Sequence, residues 1–317
     1  MNSFAAIVGN RLVSPDRVAD CVLDHERSGR AMSLLRLGDG EGVILSLLNR
    51  HDASLGNYLA SHFGDRCTQA RLDNLADRLL LAVERAQVLG VRADVAADAF
   101  PKDLTGLSNQ RRVAWARQNL SLRPEESANL DPDSAYRLIL LGRWMAEFDW
   151  PEQALLTSAW IHFDWLESGF LADLAMGQER IGLVTGRRDL APLFRAVGIE
   201  VDEWPVPLRY LRRDADWTPH FPDRFNELLD TLTPKFPGQL FFVGAGICGK
   251  VYCDIIAQRG GIALDIGAVC DAWLGISTRP RVAFERWGQE TVPESLLLER
   301  QLSARAGGLA ARKTSHE

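Results

Sequence analysis

The sequence predicts an α/β protein with a mostly parallel, Rossmann-like sheet, helices on both faces and a helical insertion. Apolar runs alternate between the two-residue period of strands and the 3.6-residue period of helices. In the second half of the chain each short apolar strand is closed by a turn residue and followed by a helix. Such a series builds parallel sheets whose ligands bind at the carboxyl ends of the strands.

The first half begins with the strand "AMSLLRLGDG", which ends in a glycine turn and leads into the helix "EGVILSLLNR". An amphipathic helix, "RLDNLADRLLLAVERA", runs directly into the strand "QVLGVR". Two further helices follow, "SNQRRVAWARQNL" and "PDSAYRLILLGRWMAEF". We expect "ALLTSAWIHF" to be a strand that turns into the helix "DWLESGFLADLAM".

The second half is more regular. We expect strands at 180–186, 199–207, 239–246 and 261–267, and helices at 187–198, 221–232 and 246–260. The predicted domain organisation is an N-terminal helical segment over 1–30, a single α/β domain over 31–290 with a helical insertion at about 92–150, and a C-terminal helix with a disordered tail over 291–317. The tail lacks a pattern that could pack into a core.

Composition excludes several classes of protein. A net charge of -6 argues against nucleic acid as the main partner, because surfaces that neutralise phosphates are usually basic. Five cysteines without C-x-x-C spacing indicate neither a disulfide framework nor a zinc site. No basic leader and no apolar run long enough to span a membrane is present, so we expect a cytoplasmic protein. Peripheral membrane association and homo-oligomerisation stay open.

The segment "GAGICGK", residues 244–250, matches two phosphate-binding patterns. The P-loop pattern requires Ser or Thr after the lysine as a Mg²⁺ ligand, and Val251 stands there. The dinucleotide pattern G-x-G-x-x-G fits better, because the segment follows a strand, opens a helix and is followed by Asp265 at the end of the next strand. The chain after Asp265 is nevertheless short for a second nucleotide-binding half. A tight turn without a ligand is the third interpretation.

A second glycine turn, "GDGEG", places Asp39 and Glu41 at the carboxyl end of the first strand. In extended geometry a D-x-E pair points both carboxylates to one side, which suits Mg²⁺ or Mn²⁺. Gly38 and Gly40 leave room for a substrate, and Arg36 is within reach of a phosphate. The alternative is a plain helix start, with Asp39 as N-cap.

Four segments in order resemble the GT-D-fold glycosyltransferases: "LRLGDGEGVIL", "LVTGRRDLAPLF", "EWPVPLRYLRR" and "FFVGAGICGKVYCDIIAQRGGIALDIGAVCDAW". The resemblance covers about residues 31–273. It implies that Asp39 and Glu41 bind a divalent cation, commonly Mn²⁺, that bridges the diphosphate of a nucleotide sugar such as UDP-glucose. This sequence departs from the family at Gly42, where relatives typically carry an aromatic residue.

We therefore expect a metal-dependent glycosyltransferase that takes a nucleotide sugar, UDP-sugar favoured, and acts on a glycan or glycoconjugate. A dinucleotide-dependent oxidoreductase and a non-catalytic relative are the alternatives. The catalytic candidates are Asp39, Glu41 and Asp265, the last as general base, with Asp271 and His162 as further base candidates. The substrate-binding candidates are Arg36, Gly38, Gly40, Gly186, Arg187, Gly244, Gly246, Gly249 and Lys250. Among the tryptophans 144, 150, 160 and 165 we expect core packing more than sugar stacking.

Overall fold

The computed structural model describes residues 9–46, 55–64, 68–208 and 220–314. Within them lies one sheet of seven strands, all parallel, in the order β3-β2-β1-β7-β6-β4-β5. The strands are β1 (Met32–Arg36), β2 (Val88–Val91), β3 (Leu155–Ser158), β4 (Arg180–Thr185), β5 (Glu200–Pro205), β6 (Leu240–Gly244) and β7 (Ile262–Asp265). The predicted α/β class with a parallel, Rossmann-like sheet is confirmed.

Fifteen α-helices are formed within the described residues. They are α1 (Pro15–Ser28), α2 (Asp39–Ser46), α3 (Gly56–Phe63), α4 (Gln69–Arg85), α5 (Asn109–Asn119), α6 (Pro124–Ala128), α7 (Pro132–Glu147), α8 (Ile161–Ser168), α9 (Phe170–Met176), α10 (Leu190–Ala196), α11 (Phe225–Thr231), α12 (Gly246–Gln258), α13 (Val269–Ala272), α14 (Pro280–Trp287) and α15 (Leu298–Thr314). The predicted insertion at 92–150 contributes α5, α6 and α7.

The helices cover both faces of the sheet, and the strand residues divide between two cores. Successive strand side chains point to opposite faces. Leu35 and Phe241 accordingly pack with α2, α4, α7 and α12, whereas the adjacent Leu34 and Phe242 pack with α1, α8, α9, α10 and α13. Burial on both faces explains why these strands are continuously apolar in the sequence.

The structure differs from the predicted elements in two places near the middle and the end of the chain. β3 stops at Ser158, and the helix after it already begins at Ile161. That helix is interrupted at Gly169, whose left-handed backbone (φ 76°) ends α8 and starts α9. The tail that we expected to be disordered is helical through Thr314, while residues 315–317 lie outside the described part of the chain.

The carboxyl end of the sheet between β1 and β7, which we call the crevice, is where the topology places a ligand cleft. These strands are neighbours, yet β1 leads into α2 on one face and β7 leads into α13 on the other. Where two adjacent connections diverge in this way, parallel sheets leave a cleft in which ligands bind. Both glycine turns of the sequence end at this edge.

Candidate functional site

A buried charge cluster lines the crevice and joins the two glycine turns. The ammonium group of Lys250 on α12 lies 2.8 Å from Oε1 of Glu41 on α2 and 3.1 Å from Oδ2 of Asp265 at the end of β7. It also donates to the carbonyl of Gly246, at 3.2 Å. The side chains of Lys250, Glu41 and Asp265 are 6, 7 and 1% exposed. The residues that the sequence analysis singled out in distant segments therefore meet in space.

Arg36 completes this cluster from the end of β1. Its guanidinium donates to the Asp265 backbone carbonyl at 2.8 Å and pairs with the carboxylate at 3.1 Å. Nη1 of Arg36 lies 2.9 Å from Nε2 of His162, which is buried. A Cβ added to Gly90 would lie 3.0 Å from Cγ of Arg36. A Cβ added to Gly267 would overlap Nη2 of Arg36. Two glycines thus make room for Arg36, and it is held rather than free to reach a phosphate.

The cluster sets the protonation of its members. Burial by itself raises the pKa of Asp265, but Arg36 and Lys250 outweigh burial and bring the pKa below the usual aspartate value. Burial and the charge of Arg36 together lower the pKa of His162 well below its ordinary value. Asp265 is therefore ionised and His162 neutral, so the imidazole accepts a hydrogen bond from Arg36.

Asp39 occupies a different environment from Glu41. Its carboxylate is 40% exposed and accepts a hydrogen bond from Nε of Arg137, on α7, at 2.9 Å. Burial by itself would raise the pKa of Asp39, but Arg137, with Arg279 and Arg92 further away, brings it below the usual value. Asp39 is thus a partly exposed carboxylate paired with Arg137 and influenced by two further arginines.

The expected extended geometry of the D-G-E turn is wrong. Asp39 and Glu41 both lie in the first turn of α2, where residues two apart do not share a face. Asp39 consequently points to Arg137, and Glu41 points inward to Lys250. The second oxygen of Glu41 accepts from the backbone N–H of Gly38 at 2.9 Å, an interaction that satisfies a helix-start amide.

These contacts decide which carboxylate fits a divalent cation. Both oxygens of Glu41 already have donors, and its side chain is buried. Asp39 has one oxygen bound to Arg137 and is accessible. Among the described residues no group of three or more His, Cys, Asp or Glu side chains is arranged to hold a metal. Asp39 therefore fits a cation that is otherwise held by substrate phosphates and water, as Mg²⁺ often is, whereas Glu41 does not fit as a direct ligand.

The glycines of the first turn are required by close packing. A Cβ on Gly40 would lie 2.6 Å from the Tyr58 hydroxyl and 3.1 Å from Cδ1 of Ile247. A Cβ on Gly42 would lie 2.5 Å from Cβ and 2.6 Å from Cα of Leu141. α2 therefore packs directly on the backbone of α7, and this contact explains why glycine, rather than an aromatic residue, stands at position 42.

The glycines of the second turn have separate roles. Gly244 faces Cys270, since a Cβ would lie 2.6 Å from its Sγ, and Gly249 packs against Val243. Gly246 has a left-handed backbone (φ 59°) with open space before it. Lys250 points into the protein rather than outward, and Asp265 is buried in ion pairs. A dinucleotide would need an acidic side chain free to bind its ribose, so this arrangement disfavours the oxidoreductase alternative.

Gly186 and Arg187 follow β4 at the same edge. A Cβ on Gly186 would lie 2.5 Å from Cδ2 of Leu208. The guanidinium of Arg187 binds Oδ1 of Asp271, and the other oxygen of Asp271 accepts from the Thr278 hydroxyl at 2.6 Å. Arg187 and Asp271 thus form an ion pair. Arg187 is therefore not a free phosphate ligand, and Asp271 is not a free general base.

All four of these tryptophans pack in or against a core. Trp150 and Trp165 are buried. Trp144 stacks on Phe148 with ring centroids 4.6 Å apart, and Trp150 meets the same ring edge-on. This agrees with core packing rather than sugar stacking.

Trp160 differs from the other three in its position, at the carboxyl edge of the sheet just after β3. The guanidinium carbons of Arg92 and Arg123 lie 5.2 and 5.0 Å from its ring centroid. Cations at this range bind aromatic faces. The Trp160 ring therefore makes cation–π contacts with two arginines.

The structure adds two residues to the site that the sequence analysis missed. Arg137 comes from the helical insertion, 98 residues from Asp39. Tyr58, on α3, packs with its hydroxyl against Gly40. Its ring centroid lies 4.9 Å from the guanidinium carbon of Arg137. No local pattern marks either residue, because only the packing of α7 on α2 brings them to the turn.

The fold and the crevice define a doubly wound α/β protein whose candidate site is a charged cleft at the carboxyl ends of the central strands. No protein-family model matches the sequence, and no curated protein matches it. A solved structure described as "Selenomethionine substituted structure of domain of unknown function 1792 (DUF1792)" is similar, with a TM-score of 0.48 and 13% identity over 90% of this chain and 85% of that one. At that score and identity the similarity carries no argument about activity. No helix in the described ranges is both long and apolar enough to cross a membrane.

Proposed function

We propose that this protein is a GT-D-type glycosyltransferase that transfers a sugar from a nucleotide sugar, UDP-sugar favoured, to a glycan or glycoconjugate. One observation carries the proposal: Lys250 joins Glu41 of the D-G-E turn to Asp265 of the "ALDIG" strand at the β1–β7 crevice. Both segments belong to the motifs that resemble this family. The crevice is where parallel sheets bind nucleotides.

The chemistry of the reaction suits the charges of the cleft. When the sugar leaves, negative charge grows on the nucleoside diphosphate, and fixed cations stabilise that charge without reorganising. Arg137 lies at the open side of the cleft with 17% of its side chain exposed. A divalent cation, Mn²⁺ or Mg²⁺, would be held here by Asp39 together with the diphosphate, and when bound it would supply further charge neutralisation.

The buried residues would position this surface. Glu41 fixes the start of α2 through Gly38 and is itself held by Lys250. Asp265 fixes Arg36 and Lys250. A general base has to reach the acceptor hydroxyl and accept its proton. Asp265 is 1% exposed and has a lowered pKa, so we assign it a positioning role and not that of the base.

Thermal-shift measurements with UDP, GDP, NAD and S-adenosylmethionine, each with and without Mn²⁺, test the proposal. We expect stabilisation by a nucleoside diphosphate that depends on Mn²⁺ and is lost in Asp39→Asn. Asp24→Asn is the matched control, because Asp24 is an exposed carboxylate on α1, away from the crevice. Ligands that bind only the native state raise the melting temperature by an amount that grows with the ratio of ligand concentration to Kd.

Other results would support the alternatives. Stabilisation by NAD alone, unchanged in Asp39→Asn, would overturn the transferase in favour of an oxidoreductase. Tight UDP binding without hydrolysis or transfer of any sugar nucleotide, across a broad panel of acceptors, would indicate a non-catalytic relative.

A further inference from the structure

Residues 275–279, in the connection between α13 and α14, are tied to the carboxyl edge of the sheet. The Ile276 amide donates to the backbone carbonyl of Asp271 at 3.0 Å, and the Thr278 hydroxyl donates to its carboxylate. Arg187, after β4, binds the other oxygen of that carboxylate. The position of this loop, which we call the 275–279 loop, is therefore fixed by β4 as well as by α13.

Two polar groups of the loop have no partner among the described residues. Arg279 is exposed, and its guanidinium makes no hydrogen bond or ion pair within that part of the chain. The Ser277 hydroxyl is buried and has no hydrogen-bond partner there. A cavity of about 10 Å³ lies beside both residues and is lined also by Phe163 and Ala268. A buried hydroxyl without a hydrogen-bond partner is costly. The Ser277 hydroxyl could therefore bond a ligand beside the Arg279 guanidinium.

The loop lies close to the charge cluster and to the first glycine turn. The charge of Arg279 acts on both Asp39 and His162, contributing to the lowering of their pKa values. Phe163, on the cavity wall, is adjacent to His162 in α8. Arg279 also lines the same cavity as Ala268, three residues after Asp265, so it lies near the carboxyl end of β7 beside the charge cluster.

Four other cations near the crevice are already compensated. Arg36 and Lys250 pair with Asp265, Arg137 pairs with Asp39, and Arg187 binds Asp271. An incoming phosphate would have to compete with a carboxylate for each of them. Arg279 has no such competitor among the described residues, and an exposed guanidinium is the group best suited to bind phosphate oxygens.

We propose that Arg279 binds a phosphate group of the ligand that occupies the crevice, opposite Asp39, and that Thr278, Asp271 and Arg187 position it. This inference rests on the proposed function for the nature of the ligand, a nucleoside diphosphate. The anion-binding role itself depends only on the phosphate group.

Calorimetric titration of UDP and of inorganic pyrophosphate, each with Mn²⁺, into the full chain tests the inference. We compare wild type with Arg279→Met, Arg279→Lys and Arg30→Met. Arg30 is an exposed arginine just before β1, at the opposite edge of the sheet, so its loss changes the net charge equally. Because a charge-assisted hydrogen bond is lost, Arg279→Met should weaken binding roughly 10- to 100-fold, or about 1.4–2.8 kcal/mol.

Arg279→Lys should recover part of the affinity, and Arg30→Met should leave it unchanged. The melting temperature without ligand should be the same in Arg279→Met and wild type, which separates ligand binding from a structural role. Equal affinities of wild type and Arg279→Met for UDP would overturn the inference and leave the transferase intact. Arg279-dependent binding of pyrophosphate without binding of UDP would support the anion site and overturn the nucleotide-sugar proposal. Binding of neither ligand by wild type would overturn both.

Discussion

Lys250 determines how the two glycine turns are joined. Its ammonium group contacts a carboxylate on α2, a carboxylate on β7 and a carbonyl at the start of its own helix. Burial alone would lower the pKa of Lys250, but Asp265 and Glu41 more than compensate and raise it. The lysine is therefore charged, and each carboxylate that faces it depends on it for neutralisation.

Glu41→Gln should destabilise the protein more than Asp39→Asn. Removing one partner of a buried ion pair costs about 3–5 kcal/mol, so Glu41→Gln should lower the free energy of unfolding by about 3 kcal/mol in urea titrations. Asp39 is partly exposed, and loss of its pair with Arg137 should cost no more than ~1 kcal/mol.

The same two variants separate the ligand roles. Mn²⁺-dependent stabilisation by nucleoside diphosphate should survive in Glu41→Gln at a temperature where the variant is folded, and it should vanish in Asp39→Asn. A Glu41→Gln protein of unchanged stability that no longer responds to Mn²⁺ would show instead that Glu41 is a direct metal ligand.

At the scale of elements, the contact between α2 and α7 places Asp39 beside Arg137. This contact depends on Gly42, whose missing side chain lets the helix rest on Leu141. Gly42→Ala should separate the two helices and lower the free energy of unfolding by about 1–3 kcal/mol, the usual cost of overpacking.

Gly56→Ala is the matched control for that change, because Gly56 also lies in a helix but has no atom within 4 Å of an added Cβ. Alanine there should be neutral or slightly stabilising. Chemical denaturation of both variants checks the difference. Equal stabilities of Gly42→Ala and Gly56→Ala would mean that α2 and α7 can move apart without cost.

The sequence predicts the sheet well because its strands are short, wholly apolar and separated by clear turn residues. β4, β6 and β7 begin and end within one or two residues of their expected limits. The break at Gly169 was missed because Trp165 and Leu171 continue the apolar pattern on both sides of it. The helical state of Asp39 was missed for a related reason: a strand–turn–helix junction gives no local signal of the residue at which the helix begins.

The candidate site was only partly predictable, because short motifs carry local information only. Motifs report local backbone needs, so the glycine turns and their carboxylates could be found. They do not report which distant side chain neutralises each charge. The partners of Glu41, Asp265 and Asp39 could be known only from the sheet order and from the packing of α7.

At the scale of the whole molecule, the buried His162 and the partly buried His220 make the stability depend on pH. Burial lowers the pKa of His220, which bonds the Tyr252 hydroxyl at 2.7 Å, to about 4. In the unfolded chain a histidine titrates near 6.5. Between these values the unfolded state binds a proton that the folded state does not, so stability is full above about pH 6.5 and is lost as the pH falls towards 4.

His220→Gln should reduce this loss. Each such histidine contributes up to about 1.4 kcal/mol per pH unit in the window, so the variant's free energy of unfolding should fall less steeply by about that amount. His162, whose pKa is also lowered, should account for much of the remaining slope. Urea titrations at half-unit steps from pH 7 to pH 4 give both slopes. Identical slopes in wild type and variant would mean that His220 titrates alike in the two states.

The central position of β1 also has a consequence for the order in which the site is assembled. β1 pairs with β7, and the Arg36–Asp265 contact spans 229 residues of sequence. Translation therefore delivers Arg36, Asp39 and Glu41 long before their partners on α12 and β7 exist. Until those last elements emerge, β1 has an open edge and its charges stay in water. α12 and β7 supply the last residues of the site. A polypeptide truncated before β6 would therefore contain the whole D-G-E turn and yet lack the site.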